Sequence, residues 1–269
     1  SFSGDGLRGD AEASIAQGVA MVEQGADMLD VGAESTRPGA KPIAAEDETA
    51  RVVPVIEALA KRVEVPISID TSKPEVMRTA VAAGAGFIND VYALRREGAL
   101  DAAAELKVPV CLMHMQGEPR TMQDDPHYDD VVGEVHRFLA ERVFACEMAG
   151  IDKRRVLVDP GFGFGKTLEH NLALLRALDR FRDLAAGVFA GVSRKAMIGT
   201  LTGRDGGADR AAGSAAAAMI AVQRGAMIVR VHDVAATRDA LAVWHAVYEG
   251  DTVAKKPAQP FGSQRFGED

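Results

Sequence analysis

The sequence predicts an α/β fold: a parallel (β/α)8 barrel whose first strand is absent from the chain as it stands. Three observations carry this reading. Short apolar, β-leaning runs recur along the chain; helix-patterned stretches alternate with them; and nearly every apolar run ends in polar residues able to bind or catalyse. Alternation of strand and helix marks an α/β fold. Polar groups gathered at the C-terminal ends of successive parallel strands are where a barrel builds its site.

Taken in order, the expected strands are Met28–Val31, Ile67–Asp70, Phe87–Val91, Val108–Met113, Val156–Val158, Val188–Val192 and Met227–Val231. Each is short and mostly apolar, the pattern of a strand buried on both faces. Helix patterning covers Glu12–Gln24, Glu46–Arg62, Pro74–Ala83, Tyr128–Ala149, Ala211–Gln223 and Ala235–Glu249. Gly25, Gly84, Gly150 and Gly225 follow helical stretches and precede strands, where glycine accepts the left-handed conformation that stops a helix. A closed barrel of this kind needs eight strands, and seven are countable. The chain opens in a loop leading into a helix, so the missing strand is expected before Ser1. A barrel short of one strand has two unpaired edges, and poor solubility or repair through a dimer is expected. An open, doubly wound sheet is the competing architecture. Residues 1–250 read as a single domain, and 251–269, rich in Lys, Pro, Gln and Gly, as a polar tail.

The 269 residues are 47% hydrophobic, enough for a sizeable core, and carry a net charge of −8. An acidic surface argues against non-specific binding to nucleic acid or an anionic membrane. The two cysteines, Cys111 and Cys146, form no CxxC pair, which disfavours a disulfide framework or zinc site and suits a reducing, cytoplasmic setting. No apolar run approaches the roughly 18 residues of a membrane span, and the polar start Ser1-Phe2-Ser3-Gly4 has no signal-peptide pattern.

The strand exits carry the chemistry. They are Glu34-Ser35-Thr36-Arg37-Pro38-Gly39, Asp70-Thr71-Ser72, Asn89-Asp90, His114, Asp159 to Lys166, Ser193-Arg194-Lys195 and Arg230-Val231-His232-Asp233. Any one of these is explained equally well as a turn former or helix cap; their recurrence at almost every strand weakens that explanation. Side chains alternate faces along a strand, so Asp70 shares a face with Ser68. Ser193 would share one with Lys195, and Arg230 with His232, if their strands persist that far. Asp70 and Asp159 suit an amino-pyrimidine edge, since charge-assisted bonds contribute roughly 1.5–3 kcal/mol each. Arg37, Arg230 and His232 suit a phosphorylated leaving group. Such a site fits a ligand with a hydrogen-bonding ring at one end and phosphates at the other.

Several lookalikes fail. Gly161-Phe162-Gly163-Phe164-Gly165-Lys166-Thr167 resembles a P-loop, but Pro160 stands where the first glycine is required. The same run is GxGxG rather than the dinucleotide GxGxxG. Cys111 lies inside an apolar strand and reads as a structural thiol. His114 either lines the mouth or is a satisfied structural histidine. The other histidines lack zinc spacing, and no nucleophile elbow occurs.

Over nearly the whole chain these motifs resemble dihydropteroate synthases. Ser1-Phe2-Ser3 is similar to the end of that family's first motif and Asp30 to Gly39 to its second. Ser68 to Pro74, Ile88-Asn89-Asp90, Asp159 to Lys166, Ser193-Arg194-Lys195 and Arg230 to Asp233 follow in the family's order. The resemblance implies a TIM (β/α)8 barrel, usually a homodimer, with small-molecule substrates. It implies a pterin pocket of Asp70, Asn89, Asp159 and Lys195. The aminobenzoate site would be Thr36, Arg37, Pro38, Phe164 and Ser193, and the diphosphate site Arg37, Arg230 and His232. Lys195, Arg37, Arg230 and His232 would carry catalysis. The implied reaction joins a dihydropterin methyl diphosphate to 4-aminobenzoate in folate biosynthesis, with sulfonamides as mimics of the second substrate. Mg2+ is implied too, although the asparagine that helps hold it in the family would precede Ser1. Two other functions stay open: the pterin domain of a corrinoid methyltransferase, which would share Asp70, Asn89 and Asp159, and a non-catalytic or truncated pterin-binding homologue.

Overall fold

The computed structural model describes residues 10–35, 42–248 and 250. Seven strands are present among them: β1 (Leu29–Val31), β2 (Ile67–Asp70), β3 (Phe87–Asp90), β4 (Val110–Met113), β5 (Val156–Asp159), β6 (Gly187–Ala190) and β7 (Ala226–Val229). They form one sheet in strict chain order, and every neighbouring pair is parallel. A doubly wound sheet reverses its strand order at a switch point; this sheet does not. Arg230, just beyond β7, reaches Asp30 on β1, 200 residues away, at 2.5 Å. The sheet therefore curls until its two ends face each other, in the manner of a TIM barrel.

The helices predicted from periodicity all form: α1 (Ala11–Glu23), α2 (Ala45–Ala60), α3 (Pro74–Ala82), α5 (Val131–Met148), α8 (Ala211–Gln223) and α9 (Val234–Tyr248). Three shorter ones, α4 (Ala99–Leu106), α6 (Leu168–Arg176) and α7 (Ala196–Thr202), complete the set among the described residues. Gly25, Gly84, Gly150 and Gly225 take positive φ, from +86° to +119°, as the helix-stop reading requires.

Strand alternation divides the core in two. Ile69, Ile88, Val110, Leu112, Val156, Val158, Val188 and Ala190 face outward into the main core with the helices. Burying each large aliphatic side chain there contributes about 1.5–3 kcal/mol. Met28, Phe87, Cys111, Leu157, Phe189 and Ile228 form a separate apolar cluster; all but Phe189 stand two residues before Asp30, Asn89, Met113, Asp159 or Arg230. That cluster is the barrel floor, and Cys111, wholly buried in it, is the structural thiol expected.

Several strands are shorter than the apolar runs. β3 stops at Asp90 because that side chain accepts bonds from the backbone N–H of Tyr92 and Leu94, both at 2.8 Å, and turns the chain. β4 starts after Pro109, which has no N–H to give to a ladder. β6 and β7 end at Ala190 and Val229, short of the polar residues that follow. The tail, 251–269, lies outside the described residues.

Candidate active site

One layer above the floor, strands and exits bring polar groups together. In register, Asp30 lies opposite Ser68, Asp70 opposite Asn89, and Met113 opposite Asp159. The Asn89 amide donates to Asp30 at 3.2 Å. Arg230 crosses the mouth and donates to Asp30 at 2.5 Å and to Asp70 at 3.3 Å. Ser68 is buried on the same face as Asp70, as its parity predicts.

Asp159 ends β5 and opens the glycine-rich turn. Its carboxylate accepts the Gly161 N–H at 2.7 Å, and its carbonyl accepts from His114 N at 2.9 Å. Gly161, Gly163 and Gly165 all have positive φ. A Cβ on Gly161 would stand 1.9 Å from the His114 carbonyl oxygen, and one on Gly165 2.5 Å from that of Gln116. These glycines let the turn lie directly against the β4 exit, which is their purpose here rather than phosphate binding. Phe164 packs among Val91, Met113, Met115 and Met122, and the Lys195 ammonium sits 4.4 Å from its ring centroid.

The two exits expected to behave as extended strands do not. Arg194 has φ +55° and breaks the alternation, so Ser193 and Lys195 part. Lys195 goes to Phe164. Ser193 meets His232, whose N–H donates to the hydroxyl at 3.2 Å and whose Nδ1 lies 3.0 Å from it. Arg230 and His232 likewise part, since β7 ends before them: Arg230 goes to the acids of β1 and β2, His232 to Ser193. Arg194 itself pairs with Asp233 at 2.5 Å and takes Ser214 on its N–H, an anchor for the turn. Thr36, Arg37 and Pro38 lie outside the described residues.

Burial dominates the electrostatics. It raises the Asp70 carboxyl to about 7, helped by the Asp30 charge and opposed by Arg230. Burial raises Asp159 as well, against the Gly161 N–H and the charges of Lys195, Lys166 and Arg230. Burial and the nearby Arg230 lower Lys195, while Asp159 and Asp70 pull it back up. The charges of Asp70, Asp159, Lys195 and Arg230 act on one another across the mouth. A partly buried cluster of opposite charges strengthens each bond made to an entering ligand.

The chain is similar to known proteins over most of its length. A family model described as "Pterin binding enzyme" matches residues 1–232. The dihydropteroate synthase of Escherichia coli is 50% identical over 91% of this chain and 87% of its own. A structure of the Xanthomonas albilineans dihydropteroate synthase with 4-aminobenzoic acid has 60% identity and a TM-score of 0.85, covering 91% of this chain and 88% of that one. The same enzyme with 7,8-dihydropteroate gives 59%, 0.82, 88% and 87%. The Yersinia pestis enzyme in a sulfonamide complex gives 44%, 0.89, 93% and 90%. This chain belongs to the dihydropteroate synthase family.

As a dihydropteroate synthase family member, the chain brings Asp70, Asn89, Asp159, Lys195 and Arg230 to one mouth, with Phe164 and the Ser193–His232 pair beside them. Sequence reasoning missed Asp30. Its alternation with Met28 put it on the inner face, but the bond to Arg230 depends on barrel curvature. Lys73 was also missed: it bridges Glu34 and the wholly buried Glu48, at 2.5 Å from the latter, and ties α2 to the β1 and β2 exits. His114 is a structural histidine, edge-on to Phe138 and bonded to Lys166. Among the described residues no group of three or more His, Cys, Asp and Glu stands where it could hold a metal ion. Asp30 has one buried oxygen without a bond, a single donor that does not make a magnesium site.

The close approach at Gly161 gives a direct test. Gly161→Ala forces both an unfavourable φ and a backbone clash, so it is expected to destabilise by well over about 1 kcal/mol, whereas a replacement at a compatible position would stabilise slightly. Denaturant titration checks it; an unchanged midpoint would mean the turn does not depend on this contact.

Proposed function

We propose that this chain condenses (7,8-dihydropterin-6-yl)methyl diphosphate with 4-aminobenzoate to give 7,8-dihydropteroate and diphosphate. The observation that carries the reading is the polar layer over the apolar floor, to which β2, β3 and β5 bring Asp70, Asn89 and Asp159 and where Arg230 bonds Asp70; Lys195 joins them in this reading. Two acids, an amide and an ammonium match the alternating donors and acceptors of a pterin ring. Phe164 and Ser193, with Thr36, Arg37 and Pro38, serve the aminobenzoate. Arg230 and His232, with Arg37, serve the diphosphate, and Ser193 orients the His232 ring.

In the reaction the carbon–oxygen bond to diphosphate breaks, and the amine nitrogen forms the new bond to the same carbon. The amine proton leaves to solvent. Cations at the departing phosphates stabilise charge that grows as the bond breaks. A neutral aromatic amine needs little activation, which agrees with a site built for binding and charge rather than for a nucleophile.

A homodimer accompanies this reading: Val243 and Val247, one turn apart on α9, are exposed apolar residues beside exposed Tyr248. Among the described residues no helix is long and apolar enough to cross a membrane, which is compatible with a cytoplasmic enzyme.

Diphosphate release on mixing both substrates tests the proposal, with competition by sulfonamides against 4-aminobenzoate. Pterin binding without turnover would favour a non-catalytic homologue instead. Arg37→Ala is expected to raise KM for 4-aminobenzoate or lower kcat while leaving affinity for free pterin nearly intact. A large loss of free-pterin binding, measured by calorimetry, would place Arg37 elsewhere.

A further inference from the structure

We propose that Arg210 is a positioning residue for Lys195: its guanidinium, seated against Gly199, clamps the main chain on both sides of α7 and holds the left-handed turn that parts Lys195 from Ser193. The inference deepens the functional reading above and rests on it for the role of Lys195 at the pterin.

Arg210 immediately precedes α8, and four carbonyl oxygens converge on its side chain. Two belong to the β6 exit: Nη1 donates to Arg194 at 3.1 Å and to Lys195 at 3.4 Å. Two follow α7: Nε donates to Arg204 at 3.1 Å and Nη2 to Asp205 at 2.8 Å. The guanidinium therefore ties the residues that enter α7 to those that leave it. Its donors stand in a fixed planar fork, whereas a lysine would offer a single nitrogen. The main chain of Arg210 takes part as well. Its carbonyl accepts from the buried Ser214 hydroxyl at 2.7 Å, and that hydroxyl oxygen accepts the Arg194 N–H at 2.9 Å.

The turn held in this way is one that its surroundings must impose. Arg194 has φ +55°, which a residue other than glycine keeps only where neighbouring contacts fix it. Its own side chain goes to Asp233, with bonds of 2.9 and 2.5 Å, and its N–H and carbonyl go to Ser214 and Arg210. Because of this turn the Ser193 hydroxyl lies 3.0 Å from His232 Nδ1, and the Lys195 ammonium lies 4.4 Å from the Phe164 ring centroid. Gly199, buried in α7, makes room for the clamp. A Cβ there would stand 2.3 Å from Nη2 and 2.5 Å from Cζ of Arg210. Glycine inside a helix is otherwise less favourable than alanine; the guanidinium accounts for it.

Arg210→Ala is expected to raise the Kd for dihydropterin diphosphate, measured by calorimetry, on the order of tenfold or more, the scale of one lost charge-assisted hydrogen bond. A merely structural role would lower the folded fraction and leave the Kd of the folded protein unchanged. Gly199→Ala repeats the test with Arg210 still present. Helix propensity alone favours that change, but the new methyl displaces the guanidinium from its carbonyls, so the Kd should rise again. With Arg210→Ala already in place, Gly199→Ala should raise it no further, because no guanidinium is left to displace. In the ligand-free full chain, the Lys195 side-chain methylene protons, assigned by their absence from Lys195→Met, should lose the ring-current shift of Phe164 in both single variants. This readout needs no ligand. A wild type that binds no dihydropterin diphosphate would defeat the proposed function, and the resonance would still decide the clamp. A Kd and a Lys195 resonance unchanged in folded Arg210→Ala and Gly199→Ala would overturn the inference, as would effects of the two substitutions that simply add. If Arg210→Ala does not fold, Gly199→Ala decides the matter.

Discussion

Asp159→Ala is expected to abolish measurable pterin binding. Asp159 is 5% exposed, oriented by the Gly161 N–H at 2.7 Å, and surrounded by the charges of Lys195, Lys166 and Arg230. Its charge acts on both buried lysines, with Asp70 also acting on Lys195. A ring bound to it loses a paired acceptor when the side chain is truncated, and the cations are left facing one another. Truncating one partner of a buried, hydrogen-bonded charge pair costs about 2–5 kcal/mol, so affinity should fall by about thirtyfold to several thousandfold. Calorimetry with a dihydropterin ligand measures it, with the melting temperature recorded alongside, because Gly161 also loses a partner. Affinity retained in a folded variant would remove Asp159 from the pterin site.

Arg230→Ala is expected to lower kcat/KM on the order of a hundredfold or more, the scale seen when a donor to developing charge is removed. Its effect on stability should depend on pH. Arg230 lies between Asp30 and Asp70; without it the two carboxylates lose the cation that bonds both. Asp70 is already raised to about 7. An acid raised in the folded state contributes stability that is full below its unfolded value, near 4, and lost as pH rises through the folded value. In the variant Asp70 rises further, so the loss extends beyond pH 7. Relative to wild type, the melting temperature should therefore fall more at about pH 8 than at about pH 5. Equal losses at both would mean that Arg230 does not compensate the two acids.

Much of the site was legible because its residues sit at strand exits, where local patterning announces them. Asp70, Asn89 and Asp159 are the last or next-to-last residues of their strands, and alternation alone places Asp70, with Ser68, on the inner face. Lys195 and His232 show the limit. Each shares parity with a neighbour that, in an extended strand, would travel with it. The left-handed turn at Arg194 and the early end of β7 send the members of each pair to different partners.

The sequence by itself determined the order of strands and helices, the glycine stops, the polar rim and the family, because each is written in short-range periodicity or in motifs read along the chain. The tertiary structure alone decided that Arg230 bridges Asp30 and Asp70, that Lys73 joins Glu34 to Glu48, and that Lys166 is buried against His114. Those contacts join residues as much as 200 positions apart: adjacent strand exits bring Lys73 and Lys166 to their partners, and the curl of the sheet brings Arg230 to the acids of β1 and β2.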